Sequence, residues 1–235
     1  MANTEVKRFW KEARADGSTV LLDGKPVRTP KRNALTLPTS ALADSIAAEW
    51  NAVGEELDPH LLPLTGLANA AIDIVAPDRL PFAESLAKYG ETDLLAYRAE
   101  SPDELIERQG NEWDPLLDWV HTRYDVHVET IAGIMHRPQP AATVERLRDA
   151  TAARSDWELA ALSPLVTIGG SLIAGLAVLE RAFDAEAVWT AVNLDELWQE
   201  EQWGADPLAE QARAARRRDW DAAVRFLELL DQSGA

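Results

Sequence analysis

Apolar positions along this chain follow two rhythms, and the change falls near residue 38. Before it, short apolar runs alternate with turn residues, as half-buried strands do. Phe9–Ala13 predicts one strand. Thr19–Leu22 and Lys25–Thr29 flank Asp23-Gly24, a dipeptide that favours a tight hairpin turn. Lys31–Asn33 predicts a second turn, and Ala34–Leu37 a fourth short strand.

From Thr39 the apolar period becomes helical. Leu42, Ile46, Trp50 and Val53 share one helix face, and Gly54 follows as a stop. Further helices are predicted over Leu64–Val75 and Leu80–Tyr89. Ser101-Pro102-Asp103-Glu104 predicts a helix start with serine as N-cap. That helix either runs on or restarts at Asp114-Pro115. His127–Met135 reads as extended and Pro140–Ala153 as helix. Ser155-Asp156-Trp157-Glu158 predicts another capping box. Asp206-Pro207 opens a last helix that docks through Trp220, Val224, Leu227 and Leu230. The fold class expected is α+β, mainly α: a small β-rich N-terminal subdomain over 1–38, packed on a larger multihelical domain over 39–235.

Leu159–Leu179 carries no charged residue and is long enough to span a bilayer. It also holds Pro164, three glycines and three hydroxyl residues, and no lysine or arginine asymmetry flanks it. A buried central helix or helix pair is therefore expected, with no membrane insertion.

Composition narrows function. The 235 residues carry a net charge of −17, which repels nucleic acid phosphates and anionic membranes and suits basic partners. There is no cysteine, so disulfides and thiolate metal sites are excluded. No apolar signal core or transit pattern occupies Met1–Trp10, so a bacterial cytoplasmic location is expected. Nine tryptophans supply large contact areas, either in the core or on a sticky surface.

The densest functional signal is Asp195–Asp206, with five carboxylates, two tryptophans and no base. On a helix, Leu194, Leu197 and Trp198 form an apolar face, and Glu201 falls on it. Glu196, Glu200 and Trp203 lie opposite. A carboxylate on an apolar face needs a cation. The run Arg213, Arg216, Arg217, Arg218 is one source, and a basic groove on a partner is another. An unbroken helix from Ala185 would put Glu196 in a second apolar row, which a break near Asn193 would avoid.

Catalytic signatures are sparse. The chain has no phosphate loop, dinucleotide fingerprint or Gly-x-Ser-x-Gly, and Gly169-Gly170-Ser171 sits in an apolar run that suits close helix approach. His121 and Asp125 share a spacing of four, but two ligands do not close a metal site. No metal or nucleotide cofactor is expected. The alternative enzyme reading is a carboxylate-dependent hydrolase using Glu196 and Glu201, which requires a pocket where distant acids converge. A membrane-anchored scaffold is a third class, resting on the uncharged run alone.

A set of segments carries a resemblance. Arg8-Phe9-Trp10, Leu22–Pro30, Glu49-Trp50, Pro63–Asn69, Glu91–Arg98, Trp113–Leu117 and Asp195–Asp206 follow one another in an order that resembles the assembly chaperones of F-type ATP synthase. The resemblance runs along nearly the whole chain. Glu200 departs from it, standing where an apolar residue is expected. The resemblance implies a non-enzymatic chaperone that binds the unassembled alpha subunit of the catalytic head. It would shield the surface that later meets the beta subunit. Eukaryotic relatives would work in the mitochondrial matrix. Within it, the partner-binding residues expected are Glu201, Glu196, Trp203, Asp195 and Trp198.

Overall fold

The computed structural model describes residues 6–232, so the outermost ends of the two expected regions, 1–5 and 233–235, lie outside the described residues. In chain order the elements are β1 (Val6–Lys7), β2 (Ala13–Asp16), β3 (Thr19–Leu22), β4 (Lys25–Pro26), α1 (Ser40–Ala52), β5 (Glu56–Leu57) and α2 (Pro63–Ala70). They continue with α3 (Arg79–Ala87), β6 (Tyr97–Arg98), α4 (Asp103–Tyr124), β7 (Ile131–Ala132), α5 (Ala141–Ala152) and α6 (Asp156–Gly169). The chain ends in α7 (Leu172–Leu179), α8 (Ala185–Val192), α9 (Leu194–Trp203) and α10 (Pro207–Asp231). The α+β, mainly helical class expected from the sequence is observed.

Two compact units emerge. The first comprises residues up to Arg79, with Asp156–Ala161 and the chain from Asp221 onward. The second comprises Leu80–Ser155 and Leu162–Trp220. The division falls inside α6 and α10.

In the first unit, β2, β3 and β4 form an antiparallel sheet with β3 central. Asp23 and Gly24 turn the β3–β4 hairpin with φ of 48° and 79°, the left-handed backbone this turn requires. Helix α1 covers the sheet with Leu42, Ala43, Ile46 and Ala47. Thr39 caps α1 by accepting from the Leu42 N–H at 3.2 Å. Glu49, on the same helix, accepts from the Leu64 and Thr65 N–H groups at 2.7 and 2.9 Å and so satisfies the first turn of α2. Burial nevertheless holds the Glu49 carboxyl above its ordinary pKa. The expected turn at Lys31–Asn33 is fixed by the buried carboxylate of Asp73, which accepts from Thr29 Oγ1, the Lys31 N–H and Asn33 Nδ2 at 2.7–2.9 Å.

Four local expectations need correction. Ala34–Leu37 forms no strand: Ala34 and Thr36 make only isolated bridges, to Arg28 and Thr19. Phe9–Ala13 is not a strand; pairing begins at Ala13. Side chains take the backbone groups there. Arg8 donates to the carbonyls of Trp10, Lys11 and Val53, and Asp23 accepts from the Lys11 and Glu12 N–H groups. Ser101 is not an N-cap: α4 starts one residue later, and the Pro102 carbonyl accepts from Leu105 and Ile106. Val224 and Leu230 are only half-buried on α10, where the covered positions are Trp220, Ala222, Ala223, Phe226, Leu227 and Leu229. Helix α4 runs on through Pro115 without restarting.

The second unit is arranged around α7. Leu172 through Val178 are all buried, and α7 packs against α4 and α8. Across the uncharged run, Leu159–Leu162, Leu165 and Val166 are buried as well. No helix among the described residues is long and apolar enough to cross a membrane, because Gly170, at φ 66°, divides the run into two helices. A Cβ on Gly175 would lie 2.8 Å from Val166 Cγ2, so glycine is what lets α7 approach α6 this closely.

A fully buried helix cannot leave its first N–H groups to water. Ser171 accepts from the Ala174 N–H at 2.9 Å, and the buried Asp93 accepts from the Ile173 N–H at 3.1 Å. Asp93 also accepts from the Leu95 N–H at 3.1 Å, while the Leu94 N–H donates to the Gly170 carbonyl at 3.0 Å. Burial pushes the Asp93 carboxyl from 3.8 up to about 6, against the opposing pull of its hydrogen bonds from Ser171 and backbone N–H groups.

Two outcomes follow for stability. Leu176 is fully buried. Leu176→Lys should lose about 3–5 kcal/mol in urea denaturation, the scale of burying an unpaired charge. Asp93 binds its proton more tightly folded than unfolded. Its contribution is therefore complete below about pH 4 and lost as pH rises through about 6. The parent's stability measured against that of Asp93→Asn should fall by about 2–3 kcal/mol across that window and level off above it. A pH-independent difference would place the Asp93 proton affinity elsewhere.

Candidate functional site

The α8–α9 junction resolves the conflict over Glu196. Helix α8 ends at Val192, and Asn193 turns the chain while its side-chain amide donates to the Trp189 carbonyl at 2.8 Å. Helix α9 then begins on a new register with Leu194 buried and Leu197 and Trp198 half-buried. It ends at Gly204, whose φ of 89° is open to glycine and whose N–H satisfies the Glu200 carbonyl at 2.8 Å.

Arginines fix the orientation of α9. Arg213 donates to Glu196 at 3.0 Å and to Glu200 at 2.7 Å, and Arg216 donates to Glu196 at 2.5 Å. Arg217 reaches back to Glu186 on α8. The arginine run therefore holds Glu196 and Glu200, the carboxylate that departs from the resemblance. Glu201 takes a different cation from the one the sequence offered. It pairs with Arg108 of α4 at 2.7 Å, and this bond holds the Glu201 carboxyl below its usual range. The Arg108 guanidinium also lies 6.0 Å from the Trp198 ring centroid. Glu201 remains exposed, its side chain 52% accessible, whereas Arg213 is only 17% accessible.

Beside α9 opens a groove of about 480 Å³. Asp195, Trp198, Gln199 and Trp203 form one wall. Tyr97, Arg98 and the 99–102 loop form another, with Leu105, Gln109, Gly133 and Ile134 completing it. Buried Gln109 joins the walls: its Nε2 donates to Asp195 at 2.8 Å, and its Oε1 accepts from the Ala99 N–H at 2.8 Å. Arg98 stands 5.2 Å from the Trp113 ring centroid and donates to Asp114 at 2.6 Å, which steadies β6. Strand β6 pairs in parallel with β7. Gly133 follows at φ 83°, and a Cβ there would lie 3.1 Å from Glu100 Cδ.

The mouth of the groove is apolar and exposed. Trp203 is 78% accessible, Ile134 94%, and the adjacent Met135 77%. Of the five residues expected at a partner surface, Asp195, Trp198 and Trp203 line this groove, while Glu196 and Glu201 sit on α9 engaged by arginines. Sequence reasoning missed Gln109, Arg108 and the Ile134-Met135 pair. The signal for the last was two large apolar residues after a glycine in a segment without helical period.

The groove offers aromatic and aliphatic area with few charged groups. A general acid needs a raised pKa, whereas Glu201 is shifted down by Arg108. His121 and Asp125 lie near enough to interact electrostatically, but each has another partner: His121 Nδ1 lies 2.7 Å from the Val126 carbonyl, and Asp125 pairs with Arg146 at 2.5 Å. No cluster of three metal-ligating side chains occurs among the described residues. Gly169-Gly170-Ser171 is structural. A Cβ on Gly169 would lie 3.3 Å from Trp220, and Ser171 caps α7.

The two α9 glutamates should respond differently to charge reversal. Glu196→Lys confronts Arg213 and Arg216 with a third cation and should cost about 1–3 kcal/mol. Glu201→Lys, exposed and singly paired, should melt close to the parent in calorimetry.

Comparison with known proteins places this architecture. The profile of the family described as ATP12 chaperone protein matches residues 7–121. Protein atp12, mitochondrial, of Schizosaccharomyces pombe is 28% identical over 215 residues, covering 85% of this chain and 74% of its own length. Among solved structures, Atp12 from Paracoccus denitrificans is 42% identical with a TM-score of 0.88, covering 95% of this chain and 98% of that one. The Atu1473 protein of Agrobacterium tumefaciens is 38% identical with a TM-score of 0.91, covering 97% and 87%. The chain thus belongs to the ATP12 chaperone family, whose members assist the assembly of ATP synthase.

Proposed function

We propose that this chaperone binds the alpha subunit of F-type ATP synthase before assembly and shields its subunit interface until the beta subunit arrives. The α9 groove is the binding surface in this reading. The observation that carries it is the exposed indole of Trp203, which with Ile134 lines a groove that Asp195 also lines, on a helix carrying Glu196, Glu200 and Glu201. A subunit interface is apolar at its centre and, on a client that meets this chain, partly basic. Aromatic area supplies affinity there, and carboxylates steer the encounter. Glu201, Glu196 and Asp195 provide the charge, and Trp203 and Trp198 the area. Glu201 is the carboxylate most able to exchange its internal arginine for one on the client, because its pair is solvent-exposed.

The protein acts by binding and carries no catalytic activity of its own. A carboxylate hydrolase is the poorer reading, since Glu196 and Glu201 are each held by arginine and neither lines the α9 groove.

The test is co-expression with the alpha subunit alone. Trp203→Ala and Glu201→Lys should leave the chaperone folded and lower the yield of soluble alpha subunit at least tenfold. A folded Glu201→Lys protein that keeps the alpha subunit soluble would remove Glu201 from the surface. If Trp203→Ala also retained full activity, the groove would not be the site.

A further inference from the structure

The first unit carries a second groove whose character is opposite to that of α9. Residues 6–37 hold eight of the chain's 23 basic side chains and three of its 40 acidic ones, a local surplus of five cations in a protein of net charge −17. None of those eight has a carboxylate within ion-pair distance among the described residues, whereas arginines 98, 108, 123, 146, 154, 213, 216, 217 and 225 are all paired. Arg8, Arg28 and Lys31 donate to backbone carbonyls instead, and cations without ion-pair partners gathered in one stretch of an acidic protein need a different explanation from solubility.

The groove amid them encloses about 310 Å³. Its floor is Trp10 and Leu22, and Phe9, Val27 and Trp50 form its sides. Trp10 is fixed: its indole N–H donates to the Trp50 carbonyl at 3.2 Å, and the two rings meet edge to face at 4.9 Å. Trp50 in turn donates to Thr65 Oγ1 at 3.1 Å. Phe9 stands against Trp10 at 5.0 Å and is 71% accessible, an apolar ring left facing water at the edge of a rigid aromatic floor. Lys25 and Arg28 stand at the rim, both exposed. The one rim carboxylate, Asp23, is engaged by the Lys11 and Glu12 N–H groups, which hold its pKa down.

We propose that this groove is a docking site for an extended segment of a partner protein in which an aromatic or aliphatic side chain is flanked by carboxylates. The side chain enters between Phe9, Trp10 and Trp50, and its acidic neighbours meet Lys25 and Arg28. A concave aromatic floor suits an inserted side chain. An anionic membrane fits less well, because a bilayer is contacted by protruding groups and the strongly acidic remainder of the chain repels it. The α9 groove, on a helix rich in carboxylates, takes a different chemistry, so the two sites do not compete for one kind of ligand.

The test uses the full chain labelled with ¹⁵N and follows its tryptophan indole signals, with Trp10 and Trp50 assigned by Trp→Phe variants. The probe is the capped peptide Ser-Asp-Glu-Phe-Glu-Asp-Ser. It should shift those two signals saturably, and binding should weaken as salt is raised. Peptides with lysine in place of the acids, or glycine in place of phenylalanine, should bind at least tenfold more weakly. Lys25→Glu combined with Arg28→Glu should do the same while the remaining indole signals stay in place. Lys25→Ala alone should weaken binding about threefold. Equal binding of the lysine peptide, or no saturable shift by the acidic one, overturns the proposal. So does a response to phosphatidylglycerol vesicles without one to peptide, which would make the patch a membrane contact. A shift produced by protein concentration alone would make the occupant a second copy of this chain.

Discussion

The second unit depends on one requirement: the first N–H groups of a helix with no access to water must find acceptors within the protein. Helix α7 is covered along its length, and Ser171 and Asp93 supply those acceptors. Asp93 is also joined to the chain that leads into β6, through Leu95, while Leu94 is tied to Gly170. The wall of the α9 groove that contains Leu94, Tyr97 and Arg98 is therefore placed by the same contacts that close the core. A carboxylate is an expensive group to bury. Its elevated proton affinity is the visible sign of that cost, which the geometry of its N–H donors offsets only in part.

The opposite wall is set by charge. Helix α9 carries too many carboxylates to lie still against an apolar surface by packing alone, and only Leu194 of its side chains is buried. Arg213 and Arg216 clamp it from α10, and Arg108 from α4. Because Glu196 and Glu200 share one arginine, the clamp is a network, which holds position better than an isolated surface pair. Two walls fixed by different physics leave a groove whose shape is held while Trp203 and Ile134 at its mouth remain free to be covered.

Local patterns that depend on neighbours in sequence were legible. The Asp23-Gly24 hairpin, the face of α1 and the burial of the uncharged run all follow from turn chemistry and period. The α9 helix and its exposed indole could be read in the same way. What could not be read was which distant group completes each polar one. Arg8 draws the backbone of residues 9–12 out of a strand, although those residues have strand character. Glu201 passes over the nearer arginine run for Arg108, 93 positions away, because α4 passes alongside its face of α9 and the run faces Glu196. Gln109 is invisible in the sequence as a groove residue, yet its amide, buried and bonded at both ends, is what joins Asp195 to the chain at Ala99.

An assembly chaperone faces a constraint that an enzyme does not. It must expose enough apolar area to compete with water for a partner, yet not enough to associate with itself. In this chain exposed rings stand apart from one another, each beside charge: Trp203 beside the carboxylates of α9, Phe9 beside Lys25 and Arg28. Like charge around each anchor repels a second copy of the same surface, while the opposite charge of a partner removes that penalty. The large acidic surplus extends this protection over the rest of the chain. The paired arginines follow the same logic. Cations that would otherwise weaken the acidic field are neutralised within the helices, as Arg213 and Arg216 are, while the basic residues of 6–37 have no carboxylate within ion-pair distance among the described residues, so a field of the other sign can act there.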